Sequence, residues 1–115
     1  MIFRLSFIAT ALSLGTAAAS QQLPEEPLCE NKGQNGMVTM LLCPTGLTTE
    51  ALAGEGKLAC GDRFPCGAWI WTNASDVPGQ TPDSHEKLPQ DAISAAIGIW
   101  VNEDNQLLTI NADKN

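Results

Sequence analysis

Cys60-Gly61-Asp62-Arg63-Phe64-Pro65-Cys66-Gly67-Ala68-Trp69-Ile70-Trp71-Thr72 is the stretch on which the fold turns. It opens with two cysteines separated by five residues, and Gly61 and Pro65 are residues that bend a chain back on itself. It continues into Ala68–Thr72, whose aromatic and β-branched content reads as a strand. Side chains alternate along a strand, so Trp69 and Trp71 share one face and Ile70 takes the other. The stretch therefore predicts a short crosslinked loop feeding directly into a core strand.

Upstream, Thr48 to Ala59 reads as a helix. Thr48 is a good N-cap, Glu50 sits in the first turn where negative charge is favourable, and Gly61 suits the helix end. Leu47, Ala51, Leu52 and Leu58 supply an apolar stripe. Gly54 and Gly56 weaken the interior by up to about 1 kcal/mol each, which points to close packing or fraying. Before the helix, Met37–Leu42 reads as a largely buried strand stopped by Pro44-Thr45-Gly46. Downstream, Asn73–Lys87 is a long polar loop with Pro78, Gly79 and Pro82, of the length that is usually functional or loose. Pro89–Ala96 reads as a second short helix. Ile97–Val101 alternates with period two, Asn102–Asn105 is a turn by composition, and Gln106–Ile110 is the return strand of a hairpin. The fold class expected is a small α+β single domain, with three to four mostly antiparallel strands, two short helices on one face, and disulfide staples.

The other two cysteines are Cys29 and Cys43. Four cysteines in a short exported chain read as two disulfides. The predicted helix is about 18 Å long and separates Cys43 from Cys60, whereas a disulfide needs Cα atoms within about 7 Å. That disfavours the 43–60 pair. Local pairing (29–43 with 60–66) and crossed pairing (29–60 with 43–66) both stay open, the local one preferred for the bend at Gly61 and Pro65. The spacings of thirteen, sixteen and five intervening residues contain no Cys-x-x-Cys, so neither a zinc knuckle nor a thioredoxin-type redox site is expected.

The N-terminus argues for export. Arg4 is followed by an apolar run to Leu14 and by Ala17-Ala18-Ala19-Ser20, the layout of a secretory signal peptide cleaved after Ala19 or Ser20. The run is too short to span a membrane. The domain reading is thus a signal peptide over 1–19, a flexible lead-in over 20–36, and a globular disulfide-stapled domain over 37–111. The mature protein is expected to be soluble and secreted, or periplasmic if the source is Gram-negative. Roughly 96 residues remain, enough for one domain with a thin core.

Thirteen acidic residues face six basic ones, for a net charge of −7. This balance argues against nucleic acid and anionic membrane surfaces as partners, since both are held by clustered Lys and Arg. No catalytic constellation stands out. The single histidine, His85, lies in the long loop beside Asp83 and Ser84, whereas a triad needs groups converging from separate elements. His85 is read as a solvated loop residue. No cofactor fingerprint or metal motif occurs, and no cofactor is expected.

Two features remain as candidate binding residues. Asp62, Arg63 and Phe64 occupy the tip of the crosslinked loop, where preorganisation would lower the cost of binding; Asp62 and Arg63 equally suit a weak surface pair. Trp69, Trp71 and Trp100 would form an aromatic platform if they shared an exposed face. Core filling is the first expectation for them, because Trp is highly buried on average. The function expected is an exported, non-catalytic binding or accessory protein whose partner is a protein or small ligand of the periplasm or extracellular space. The alternative is a small redox or metal-handling protein, with Met37, Met40 and Cys43 as a soft copper site; in a strand, however, Met37 and Met40 would face opposite ways.

Overall fold

The computed structural model describes residues 26–111. The signal peptide read over residues 1–19 lies outside them. Seven elements follow in chain order: β1 (Glu30–Asn35), β2 (Val38–Leu42), α1 (Thr49–Cys60), β3 (Gly67–Trp71), α2 (Gln90–Ala95), β4 (Gly98–Val101) and β5 (Gln106–Thr109). The domain is α+β and disulfide-stapled, but its sheet has five strands, in the order β1-β2-β3-β4-β5. β2 and β3 run parallel and every other neighbouring pair is antiparallel. The additional strand is β1, placed by the sequence in the lead-in. Its six residues are polar and almost wholly exposed, so it carries no hydrophobic alternation. It exists because β2 offers it a ladder, with a bulge between Asn31 and Gly33.

The parallel β2–β3 pair follows from α1, which carries the chain back along the sheet as crossovers between parallel strands must. The helix begins where expected: Thr48 Oγ1 accepts from the Ala51 amide. It ends at Gly61, whose positive φ of 59° is a conformation natural to glycine and costly for residues with a β-carbon.

Alternation splits the sheet into two buried faces. Leu41, Ala68, Ile70 and Trp100 face α1 and pack with Leu52, Cys60, Cys66 and Ile97. Val38, Met40, Trp69, Trp71 and Ile99 face the other way and pack with Leu88, Ala92 and Ala96. The helices therefore cover opposite faces, where the sequence placed both on one. Gly56 allows the close approach on the α1 side: a β-carbon there would lie 2.7 Å from Trp100 Cγ and closer still to its Cβ. Close packing, rather than fraying, accounts for this glycine.

The long loop is strapped to the sheet. Asn35 Nδ2 donates to the Thr81 carbonyl at 2.9 Å and the Met37 amide to the Asp83 carbonyl at 3.3 Å. Short 3-10 turns at Ala74–Asp76 and His85–Lys87 break it up. The disulfides are Cys29–Cys43 and Cys60–Cys66, the local pairing. No helix among the described residues is long and apolar enough to cross a membrane.

Candidate functional site

The seven-residue loop from Cys60 to Cys66 links the end of α1 to the start of β3 and is held at several points. The Cys60–Cys66 disulfide closes its base. The Asn102 side chain enters from the turn after β4: its Nδ2 donates to the Gly61 carbonyl at 3.1 Å and to the Arg63 carbonyl at 2.8 Å. Asn102 is itself only 7% exposed and is oriented by Trp100, whose Nε1 donates to Asn102 Oδ1 at 2.9 Å. With both amide ends occupied, the side chain has one flip state that satisfies all three partners. Glu103 Oε1 accepts from the Cys66 amide at 3.0 Å.

Arg63 adds a hold from inside. Its guanidinium donates to Thr39 Oγ1 at 2.8 Å and to the Ala59 carbonyl at 3.2 Å. Thr39 is fully buried on β2 and also lies 3.5 Å from Cys66 Sγ. Arg63 is thus a strut between the loop, the helix end and the sheet.

What the loop displays is Phe64. Its side chain is 64% exposed, the most exposed large hydrophobic residue among those described. The Phe64–Pro65 peptide is cis. Asp62 and Pro65 are exposed beside it. A shallow depression of about 650 Å³ runs from this tip to Gly36, Met37 and Asp83. Asp83 forms an ion pair with Lys87 at 3.0 Å, and the Lys87 ammonium holds its carboxyl below the usual carboxylate value.

The three candidate tryptophans do not form one aromatic face. Trp69, Trp71 and Trp100 are buried, with exposures of 8%, 0% and 4%. β4 does lie beside β3, but the register sets Ala68 opposite Trp100 and Trp69 opposite Ile99. Directly opposed residues share a face, so Trp100 points toward α1 and the other two toward α2. Trp69 and Trp71 stack with centroids 6.4 Å apart, and Trp71 Nε1 donates to the Ala92 carbonyl at 2.8 Å. Of the six sequence candidates, the structure gathers Asp62, Arg63 and Phe64 at the tip, ties Trp100 to it through Asn102, and leaves Trp69 and Trp71 in the opposite core.

His85 is not a solvated loop residue. Trp69 Nε1 donates to His85 Nδ1 at 2.9 Å, and the rings lie 5.9 Å apart. The neutral ring therefore carries its proton on Nε2. Burial pushes its pKa below the ordinary 6.5, and the nearby Glu103 and Glu86 oppose that shift only in part. Asn102 and His85 are the residues that sequence reasoning missed. One sat in a turn and the other in a loop, and neither position signals a buried partner.

The residues of the alternative copper reading are also separated. Cys43 is bonded to Cys29 on the α1 side, whereas Met40 packs in the α2-side core. Met37 precedes β2 and packs against the same cluster as Met40, where the sequence set the two on opposite faces. Comparison with protein-family models, with curated proteins and with solved structures finds no match to this chain.

Proposed function

We propose that this protein is an exported, non-catalytic binding or accessory protein whose principal contact residue is Phe64. The observation that carries the reading is the contrast at the tip. A disulfide, the doubly donating Asn102 and the inward Arg63 fix the loop, while its one large apolar side chain is left in solvent. Exposing an aromatic ring forgoes burial worth about 2 kcal/mol, and no packing among the described residues gains from it. A partner with a matching pocket would recover that area without paying to order the loop. A few side chains buried in well-packed pockets carry most of the binding energy of an interface. Export is supported by the signal-like N-terminus and by two disulfides, which persist in oxidising compartments.

The test places a photo-crosslinking phenylalanine analogue at position 64 in the host that makes the protein. Expected is a discrete crosslinked product that excess wild-type protein suppresses and Phe64→Ser does not. Equal suppression by Phe64→Ser would remove the reading. Fractionation and N-terminal sequencing test export, with a mature N-terminus at Ser20 or Gln21 expected.

A further inference from the structure

The two edges of the sheet are built differently. At one edge, β1 carries Glu30 and Lys32, is interrupted by a bulge, and has the Thr81 segment folded against it at Gly33. Charges, bulges and covering loops are the devices that stop an edge from pairing with another chain. At the other edge, β5 has neither charge nor bulge: it is four residues in regular register, Gln106-Leu107-Leu108-Thr109. Among the described residues no strand pairs with its outer side.

The register shows which groups are offered. The Ile110 amide donates to the Ile97 carbonyl at 2.9 Å, which makes 97 and 110 a hydrogen-bonded pair. In an antiparallel ladder such pairs alternate with non-bonded ones. Residues 106, 108 and 110 thus turn their main-chain groups toward β4, and Leu107 and Thr109 turn theirs outward. Beside this ladder, Leu108 and Ile110 are 45% and 40% exposed. Leu108 lies opposite Ile99, on the α2 side of the sheet. Asp104 is exposed in the turn that leads into the strand, whereas the neighbouring Glu103 carboxylate is turned toward β3, on the Cys66 amide.

We propose that the β5 edge is a binding site for an extended, basic segment of another protein, which adds to the sheet as a sixth strand. Only another extended backbone matches the alternating donors and acceptors of Leu107 and Thr109. Apolar side chains at alternate positions of that segment cover Leu108 and Ile110, and flanking Lys or Arg meets Asp104. Charge selects this occupant over a second copy of the chain, which would bring its own net −7. The proposal is independent of the Phe64 reading, since the peptide probe contains no pocket for that ring.

The probe is a soluble peptide of alternating Lys and Val, with a Glu–Val peptide of equal length and a copy N-methylated at every second amide as controls. Amide hydrogen exchange of the oxidised protein, resolved by NMR, is the readout. With Lys–Val peptide at saturation, the Leu107 and Thr109 amides are expected to slow at least tenfold, while those of β1 stay unchanged. The Glu–Val and N-methylated peptides are expected to give no protection, and Leu108→Lys to abolish it. Equal protection by either control, or peptide-induced shifts confined to other surfaces, would overturn the proposal. A dimer in sedimentation equilibrium, with both amides already protected, would overturn it in favour of a second copy.

Discussion

Asn102→Ala tests the tip most directly. The substitution removes three hydrogen bonds at once: the one accepted from Trp100 Nε1 and the two donated to the carbonyls of Gly61 and Arg63. Each such bond contributes about 1 kcal/mol net, and a buried donor left without a partner costs about 1–3 kcal/mol. The two carbonyls sit on an exposed or half-buried loop and regain water, whereas Trp100 Nε1 is enclosed. The expected loss is therefore about 3 kcal/mol, a large share of a typical 5–15 kcal/mol margin. Urea unfolding with the disulfides intact measures it, followed by far-UV circular dichroism. Trp100→Phe supplies the cycle: with the indole N–H gone, Asn102→Ala is expected to cost about 1–2 kcal/mol less. A loss under about 1 kcal/mol for Asn102→Ala, or additive changes in the cycle, would refute the claim that this side chain holds the loop.

Two further outcomes follow from the packing. Gly54 and Gly56 lie two residues apart in α1 and are expected to respond oppositely to alanine. A β-carbon at Gly54 meets nothing within 4 Å, so Gly54→Ala raises stability by about 0.5–1 kcal/mol, whereas Gly56→Ala collides with Trp100 and lowers it by about 1–3 kcal/mol; thermal unfolding ranks the two. Burial holds the His85 pKa below 6.5 in the fold, so below pH 6.5 the unfolded chain binds more protons than the native one. The stability that neutral His85 contributes is thus complete above pH 6.5 and is lost as pH falls through 6.5 toward the depressed native value. Urea midpoints between pH 7.5 and 5.5 are expected to drop for the wild type and to stay flatter for His85→Gln.

Local chemistry was legible in the sequence, and relations between elements were not. The Thr48 cap, the Gly61 stop, the alternation of Trp69 with Ile70, and the 97–110 hairpin each depend on neighbours a few residues apart. The local disulfide pairing was favoured for the same reason, through the bend at Gly61 and Pro65. β1 carries no signal in the sequence because a strand exposed on both sides has no apolar period to betray it. The core filling expected of the three tryptophans holds, but whether Trp100 shares a face with Trp69 and Trp71 stays open in the sequence, because alternation assigns faces within a strand and only inter-strand register relates one strand's faces to the next. Of the candidate site, the tip was identified from its composition. The inward turn of Arg63 depends on Thr39, 24 residues earlier, and the hold by Asn102 on a turn about 40 residues later.

Each disulfide joins cysteines that are consecutive along the chain, first with second and third with fourth. A polypeptide emerging N-terminus first exposes its thiols in that same order. An oxidant that joins each newly arrived thiol to an earlier one still free makes both native bonds, with no reshuffling step. Synthesis order alone thus selects one arrangement from the three that four cysteines allow.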